Sequence, residues 1–433
     1  MIIKNYFRSF AIFALLFILG AGTSFSQKFP APRAEKLLNE MNLLIWSDPG
    51  ADKVSIKLRI HRGSAFDHQG KEGTMALLGQ ILFPNESSEE FFREDLGGSL
   101  EVISNYDYLQ INATAAPDKL LDALQAIANA ILNPQITKET TAAVREIQLA
   151  KVSEVEKDPA YIADLAVAER LLGDFPYGRS QAGTVESLNK IDFADLLFAK
   201  EKFLTSDNAT IAISGNLKSD LVYRAARRYF GGWVKADTNI PATFRIPEKP
   251  DEKLQILDAK RENTSELRFA MRGIARSDKN YYAAEIVKAI LEKRLQKLER
   301  GKISVSGAGH LLAGPVIFRL QDWNPGMIRR EGNAISLPVG LNETVSRLFA
   351  EAITNQEFTA AKTEMLKRFN AAALSDLWLD IETYRLSTFA KDYQSAQNVS
   401  AADVKEVFDK FKTEPVASVL LFQNPKPTAN PEN

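Results

Sequence analysis

The sequence has no cysteine and only three histidines among its 433 residues. Without cysteine there are no disulfides, thiolate metal sites, cysteine nucleophiles or lipidated N-terminal cysteine. An excess of one charge is also lacking, because 54 basic residues balance 55 acidic ones and the formal net charge is −1. This balance gives no indication of a nucleic-acid-binding surface. No cluster of Lys and Arg adjoins an amphipathic helix, so a membrane-surface protein is not indicated either.

Long apolar runs are scarce, and the longest, residues 10–22, follows Lys4 and Arg8 near the N-terminus. A basic start, an apolar run of this length and the small residues Ser24 and Ser26 predict an export signal over residues 1–26 that is cleaved after Ser26. The alternative is an uncleaved anchor, but spanning a bilayer takes about 20 apolar residues. The prediction is an exported protein without a membrane span after cleavage, periplasmic in a Gram-negative source.

The chain length and the order of elements predict two domains. Pro241, Pro247 and Pro250 lie among polar residues and indicate a linker over residues 241–252. Strand and helix patterns run in a similar order on both sides of it. We therefore predict an α+β fold with domains at 34–240 and 253–423, each an antiparallel sheet covered by helices on one face. The Pro- and Asn-rich residues 424–433 are expected to form a disordered tail.

Several elements are indicated by periodicity alone. Apolar and polar residues alternate over 54–60, which predicts a half-buried strand, and helical spacing follows over 75–83. Residues 100–104 and 108–113 predict a hairpin. Longer patterns predict helices over 117–133, 137–172 and 355–392 and a strand-like stretch over 302–319.

Five short strings occur in a specific order along the first 216 residues. They are Arg62-Gly63-Ser64-Ala65-Phe66-Asp67 with Gly73, Leu96-Gly97-Gly98-Ser99-Leu100, Asn133-Pro134, Phe175-Pro176-Tyr177-Gly178-Arg179 with Gly183-Thr184, and Asp207-Asn208-Ala209-Thr210 with Gly215-Asn216. Together they resemble the insulinase (pitrilysin) family of zinc peptidases, which includes the mitochondrial processing peptidases. The resemblance continues more thinly in the second half. It implies two homologous α+β domains joined by a linker.

Active members of that family carry the inverted zinc motif H-x-x-E-H on their first helix. The two histidines bind zinc and the glutamate acts as general base. Aligned on Gly73, this chain has Ala76 at the first histidine, Gly79 at the glutamate and Gln80 at the second histidine. Alanine and glycine offer no ligand, and a neutral amide is a poor one for zinc. The resemblance therefore implies a chain without catalytic residues, without a metal site and without a cofactor.

Two further family positions are also altered. The distal glutamate ligand aligns with Lys151, and the nearby Glu146, Glu154 and Glu156 are interpreted as a solvated helix face. Family members also hold substrate with an Arg and a Tyr from the second domain. Those positions fall near Glu299 and at Ile303 or Lys302, with Arg300 as a possible replacement cation.

Other sites were weighed against simpler interpretations. His61, His68 and His310 would need to meet across the domains to bind a metal, so we interpret them as exposed or locally hydrogen-bonded loop residues. No nucleophile-elbow string supports a serine hydrolase. Gly97-Gly98 is predicted to form a tight backbone turn rather than a phosphate loop.

The leading hypothesis is a non-catalytic family member, the metal-free subunit of a heterodimeric peptidase that handles peptides in the periplasm with a zinc-bearing family subunit as partner. One alternative is a peptide-binding protein that works alone or as a homodimer. The other is an enzyme, either with metalloendopeptidase activity only within a complex or with an unrecognised site.

Overall fold

Two β-sheets organise the chain in the computed structural model, which describes residues 29–236, 244–260, 264–299, 301–323, 329–331, 334–336 and 341–423. The first half contains β1 Arg33–Lys36, β2 Asn42–Ser47, β3 Val54–Ile60, α1 Thr74–Leu82, α2 Glu86–Glu90, β4 Ser99–Ser104, β5 Leu109–Ala115, α3 Leu120–Leu132, α4 Lys138–Val155, α5 Pro159–Leu172, α6 Val185–Lys190, α7 Phe193–Phe203, β6 Ala209–Gly215 and α8 Ser219–Phe230. The second half contains β7 Gln255–Asp258, β8 Ser265–Arg272, α9 Tyr281–Leu298, β9 Lys302–Ser306, β10 Pro315–Gln321, β11 Arg329–Glu331, β12 Ala334–Ser336, α10 Leu341–Leu348, α11 Asn355–Ala371, α12 Leu374–Thr383, α13 Phe389–Asn398, α14 Ala401–Thr413 and β13 Ala417–Phe422.

The two large sheets have the same strand order. The N-terminal sheet runs β1-β2-β6-β3-β5-β4 and the C-terminal sheet β7-β13-β8-β10-β9. Pairs β2–β6 and β7–β13 are parallel, and the other pairs of both sheets are antiparallel. Apart from β1, the sheets therefore correspond strand for strand, with β3 equivalent to β8 and β4 to β9. The predicted α+β class is confirmed, with one parallel pair in each mainly antiparallel sheet.

Local signals explain where several predicted elements end. The single helix expected over 137–172 is two helices, because Pro159 has no amide hydrogen and the Asp158 side chain caps the second helix by accepting from Ala160 N at 3.0 Å. The stretch 302–319 is two strands joined by a loop with three glycines. The stretch 355–392 is divided among α11, α12 and the start of α13. The Gly97-Gly98 turn is confirmed: Gly97 has φ +63°, and a Cβ on Gly98 would lie 1.8 Å from Thr114 O.

Each half sends one helix across to the sheet of the other half. Helix α5 packs on β8, β10 and β13 of the C-terminal sheet, where Val167 and Leu171 join an apolar cluster with Ala270 and Val419. Helix α12 packs on the N-terminal sheet, where Leu379 contacts a cluster on β2 and β6. The two helices are equivalent in the order of elements, so the exchange is reciprocal. Each sheet is thereby covered on both faces, one by helices of its own half and the other by a helix of the other half.

A buried ion pair accompanies each crossing helix. Asp164 on α5 accepts from Arg268 Nε at 2.5 Å and from Arg319 Nε at 2.6 Å. On α12, Asp380 accepts from the guanidinium of Arg59 at 2.7 Å. Arg59 and Arg268 are almost completely buried and occupy equivalent strands, β3 and β8. Breaking a buried pair of this kind on one side typically costs about 3–5 kcal/mol, so these pairs fix the crossing helices in place.

The predicted boundaries have no sharp counterpart in the described residues. Residues 244–254 form neither helix nor strand, whereas 241–243, the signal segment 1–26 and the tail 424–433 lie outside the described ranges. The domain limits 34–240 and 253–423 thus stay predictions. None of the helices in the described part of the chain is long and apolar enough to cross a membrane.

Candidate functional site

A cavity of about 1050 Å³ opens beside helix α1, and the four altered motif positions of the sequence line it together. Ala76, Gly79 and Gln80 come from α1, whereas Lys151 comes from α4. The opposite side is formed by α2 and strand β4. We call this space the α1 cavity. Ala76 and Lys151, which are 75 positions apart in the sequence, therefore line the same cavity.

Asp67 holds the start of α1. Its carboxylate accepts hydrogen bonds from Gly73 N at 2.9 Å and from Met75 N at 3.0 Å, the amides that open the helix. Because the group is fully buried, burial raises the pKa of Asp67 to about 8, while the two amide hydrogen bonds act in the opposite direction. The string Asp67…Gly73 therefore works as a fixed entry to the helix that lines the cavity.

Gly79 faces the hairpin at van der Waals distance. A Cβ built on it would lie 2.7 Å from Leu109 Cδ1 and 3.4 Å from Val102 Cγ1. Leu109 is almost completely buried, so any side chain at position 79 requires it to move. Glycine at position 79 therefore allows α1 to pack closely against the hairpin.

The four motif positions do not supply ligands for a zinc ion. Zinc sites use imidazole, thiolate and carboxylate ligands, whereas the motif positions supply a methyl group, a hydrogen, a neutral amide and an ammonium. Glu146 and Glu154 on α4 and Glu156 directly after it are exposed and do not line the cavity, as predicted for a solvated face. Within the described ranges, no group of three or more His, Asp or Glu residues could hold a metal.

The predicted substrate-contact residues of the second half lie elsewhere. Glu299 ends α9 and accepts from Thr344 Oγ1 at 3.1 Å. Ile303 is on edge strand β9, opposite Leu320. Neither lines the α1 cavity, and Arg300 is outside the described residues. Their proposed contact with substrate stays a prediction.

A second cavity, of about 390 Å³, lies on the other face of the N-terminal sheet, against α12 and the start of α9. We call it the Arg59 cavity. Its residues include Lys57, Arg59, Ile103, Tyr108, Arg276 and Tyr384. Arg59 stacks on Tyr108 at 4.0 Å from the ring centroid and donates to Gln110 Oε1 at 2.5 Å. Sequence reasoning missed this site, because Lys57 and Arg59 occupy the polar phase of an alternating strand and so looked solvent-facing.

His61 is buried, which corrects the interpretation of it as an exposed or locally bonded loop residue. Its Nε2 lies 2.8 Å from Thr210 Oγ1 and its Nδ1 2.9 Å from Thr383 Oγ1, so it joins β3, β6 and α12. Thr383 donates to Leu379 O and therefore accepts from His61 Nδ1–H. Burial, then the charges of Arg59 and Arg62, lower the pKa of His61 to about 3, so the imidazole is neutral.

The other two histidines lie in different environments. His68 is exposed, as expected, and lies over the Phe198 ring. His310 crosses between the halves: its Nδ1 lies 2.7 Å from Asp107 Oδ2, and its ring stacks on Tyr177 at 4.4 Å. Tyr177 donates to the other Asp107 oxygen at 2.7 Å. This cluster fixes the β9–β10 loop of the second half on the β4–β5 hairpin of the first.

Comparison with protein families matches most of the chain. The model of the insulinase family, peptidase family M16, matches residues 43–185, and the model of the peptidase M16 inactive domain matches residues 190–365.

Three relatives were compared by sequence. An uncharacterized zinc protease of Rickettsia bellii is 21% identical over 47% of this chain and 50% of its own length. A non-peptidase homolog, YmxG, of Helicobacter pylori is 23% identical over 47% of this chain and 48% of its own. The mitochondrial-processing peptidase subunit beta of Saccharomyces cerevisiae is 19% identical over 62% of this chain and 60% of its own. The chain thus spans about half the length of the curated relatives it matches.

Two solved structures share the fold over nearly all of the chain. A peptidase M16 inactive domain from Pseudomonas fluorescens superposes with a TM-score of 0.75 at 19% identity, covering 92% of this chain and 98% of that one. The first half of the periplasmic protease PqqL from Escherichia coli gives a TM-score of 0.65 at 14% identity, covering 91% and 93%. With the two family matches, this agreement assigns the protein: the chain belongs to the insulinase family, peptidase family M16.

Proposed function

We propose that this chain is a non-catalytic member of its family that holds extended peptides, as the metal-free subunit of a heterodimeric peptidase. The observation that carries the proposal is the α1 cavity. All four motif positions line it, yet none offers a side chain that could bind zinc or act as a general base. A cavity that is open but lacks the family's zinc ligands and general base suits peptide binding rather than cleavage.

Strand β4 supports the peptide-binding part. It pairs with β5 on one side only among the described residues, and its free edge lies at the α1 cavity. An open strand edge can accept an extended peptide through main-chain hydrogen bonds, with pockets beside it for the side chains. The apolar run near the N-terminus supports an exported protein, and the relative PqqL is named as periplasmic. Another relative is named as one subunit of a peptidase.

Zinc analysis and peptide cleavage by the purified chain test the proposal together. We expect less than about 0.1 zinc per chain and no cleavage of an extended peptide library, because the motif positions lack the ligands that structural and catalytic zinc sites require. The chain purified from its native host should bring with it a zinc-bearing family member. Stoichiometric zinc with autonomous cleavage would refute the proposal. Recovery of a peptide-binding monomer or homodimer would replace the heterodimer with a stand-alone binding protein.

A further inference from the structure

Strand β1, the turn after it and helix α8 lie side by side at one edge of the N-terminal sheet. Arg33 on β1 donates to Asp220 of α8 at 2.5 Å. In the turn, the side-chain amide of Asn39 donates to Phe230 O at 2.8 Å and to Trp233 O at 3.0 Å, at the end of α8. These contacts join residues 33–40 and 218–235 into one surface, which we call the β1–α8 face.

The β1–α8 face carries an excess of positive charge. Its residues include seven Lys and Arg but only three Asp and Glu, a net charge of +4 in a chain whose total is −1. All three carboxylates are paired with cations of the same face. Arg224, Arg227 and Arg228 are exposed, and in the described part of the chain none of them forms an ion pair. The uncompensated positive charge therefore lies on α8.

Two exposed apolar side chains lie where the turn contacts the end of α8. Leu38 is in the turn and is 100% exposed, and Val234 is 75% exposed. Ser206 holds both segments, because its amide donates to Val234 O at 3.0 Å and its hydroxyl donates to Asn39 O at 2.6 Å. A single exposed leucine is ordinary in a folded protein. Here, however, two apolar side chains project next to the last turn of α8, which carries two of the three arginines.

We propose that the β1–α8 face docks on an anionic lipid bilayer, with Leu38 and Val234 inserted among the headgroups and the arginines of α8 bound to lipid phosphates. Peripheral binding strengthens with the apolar area buried and with the electrostatic attraction to anionic lipids. A projecting leucine suits a fluid surface, whereas a protein partner needs about 800 Å² of fitted surface on each side. A nucleic acid would leave both apolar side chains in water.

The position of this face fits the rest of the molecule. Val222, Ala226 and Phe230 bury the apolar side of α8 in the core, so its charged side is the one that faces outward. Strands β1 and β4 form opposite edges of a six-stranded sheet, about 24 Å apart at the usual strand spacing. Docking through β1 and α8 therefore leaves the α1 cavity open and does not depend on the proposed peptide binding.

The sequence did not indicate a membrane-surface protein because the parts of this face are far apart along the chain. Arg33 and Asp220, which meet in the structure, are 187 positions apart. The cations of α8 reach the exposed leucine of the turn only in the folded chain.

Vesicle flotation tests the docking. The chain as predicted after cleavage, residues 27–433, retains every described residue and lacks the apolar run 10–22, which would bind a bilayer by itself. We expect binding at least about tenfold tighter to phosphatidylcholine vesicles with about 30% phosphatidylglycerol than to vesicles of phosphatidylcholine alone. Raising the salt from about 0.05 M to about 0.5 M should weaken the binding, because the arginines are exposed. Equal binding to both vesicles, or binding to neither, would overturn the proposal.

Charge-neutralising variants locate the binding surface. The triple variant R224Q/R227Q/R228Q should bind the phosphatidylglycerol vesicles at least about tenfold more weakly, because it removes three cations from the docked face. The matched control K367Q/R368Q/K410Q makes the same charge change at exposed positions of α11 and α14 and should alter the binding less than about twofold. Equal losses in both variants would assign the effect to overall charge and overturn the proposal.

The absence of cysteine from the chain allows one fluorescent label to report insertion. An environment-sensitive fluorophore on Leu38→Cys should shift to shorter wavelength and at least double in intensity when phosphatidylglycerol vesicles are added, because it enters an apolar layer. The same label on Val155→Cys, at a site that is 40% exposed at the end of α4, should not change. If the chain binds while the label at position 38 stays in water, the attraction is electrostatic alone, as it would be for an acidic protein, and the proposal is overturned.

Discussion

Acid should weaken the contact between α12 and the N-terminal sheet through His61. In the unfolded chain this histidine has its ordinary pKa of 6.5, whereas in the folded chain burial lowers the pKa to about 3. Below pH 6.5 the unfolded state therefore binds a proton that the folded state does not. Stability from this group is complete above pH 6.5 and is lost as the pH falls toward 3. At pH 5 the loss amounts to about 2 kcal/mol, and near pH 3 to on the order of 5 kcal/mol.

Replacing His61 with glutamine removes the titrating group and keeps an amide donor and acceptor for Thr383 and Thr210. Urea unfolding followed by tryptophan fluorescence at pH 7.5 and pH 5.0 measures the effect. We expect the drop in unfolding free energy between these two pH values to be smaller in His61→Gln than in the parent by about 2 kcal/mol. Carboxylates that titrate in both proteins cancel in this difference.

The exposed His68 provides the control. His68→Gln should retain the full pH dependence of the parent, because that side chain faces solvent. If His61→Gln and the parent lost the same free energy between pH 7.5 and pH 5.0, the buried neutral imidazole between the two threonines would not be what makes the fold acid-sensitive. The reasoning from burial would then be refuted.

Two further substitutions test the packing around the crossing helix and the α1 cavity. Asp164→Ala leaves Arg268 buried without its partner on α5 and should lower the free energy of unfolding by about 3 kcal/mol. The control Asp174→Ala, at an exposed site, should change the free energy of unfolding by less than about 0.5 kcal/mol. Similarly small losses in both variants would contradict the role of the ion pair. Gly79→Ala should cost about 1–3 kcal/mol through overpacking against Leu109. In a Leu109→Ala background, Gly79→Ala should instead stabilise the fold by up to about 1 kcal/mol, because alanine has a higher helix propensity than glycine. The same destabilisation in both backgrounds would show that Leu109 does not limit the space at position 79. Chemical denaturation measures the free energy of unfolding of all these variants.

Local elements could be predicted because their signals are local. The β4–β5 hairpin, the Gly97-Gly98 turn and the α1 helix each follow from residues within a few positions of one another. The motif positions could also be placed in one site, because the family pattern connects Ala76 with Lys151. The break at Pro159 was present in the sequence, but helical spacing on both sides of it obscured the boundary.

The crossing of α12 could not be predicted, for a physical reason. Alternation in β3 marks Ile56 and Leu58 as buried and Lys57 and Arg59 as polar, and a polar face normally means solvent. Here that face is covered by α12, whose Asp376 and Asp380 are one helical turn apart and neutralise both cations. Sequence periodicity states which face of an element is apolar, not which distant element supplies the charges that allow a polar face to be buried.

The reciprocal exchange of α5 and α12 limits how this chain can move. A hinge motion at the predicted linker would have to separate α5 from the C-terminal sheet and α12 from the N-terminal sheet at once, because each half covers the sheet of the other. The two halves are therefore expected to move together rather than independently. If the chain holds peptides as proposed, closure around a peptide would occur between this chain and a second molecule. A proteolytic cut in the predicted linker would leave two fragments that stay associated through α5 and α12.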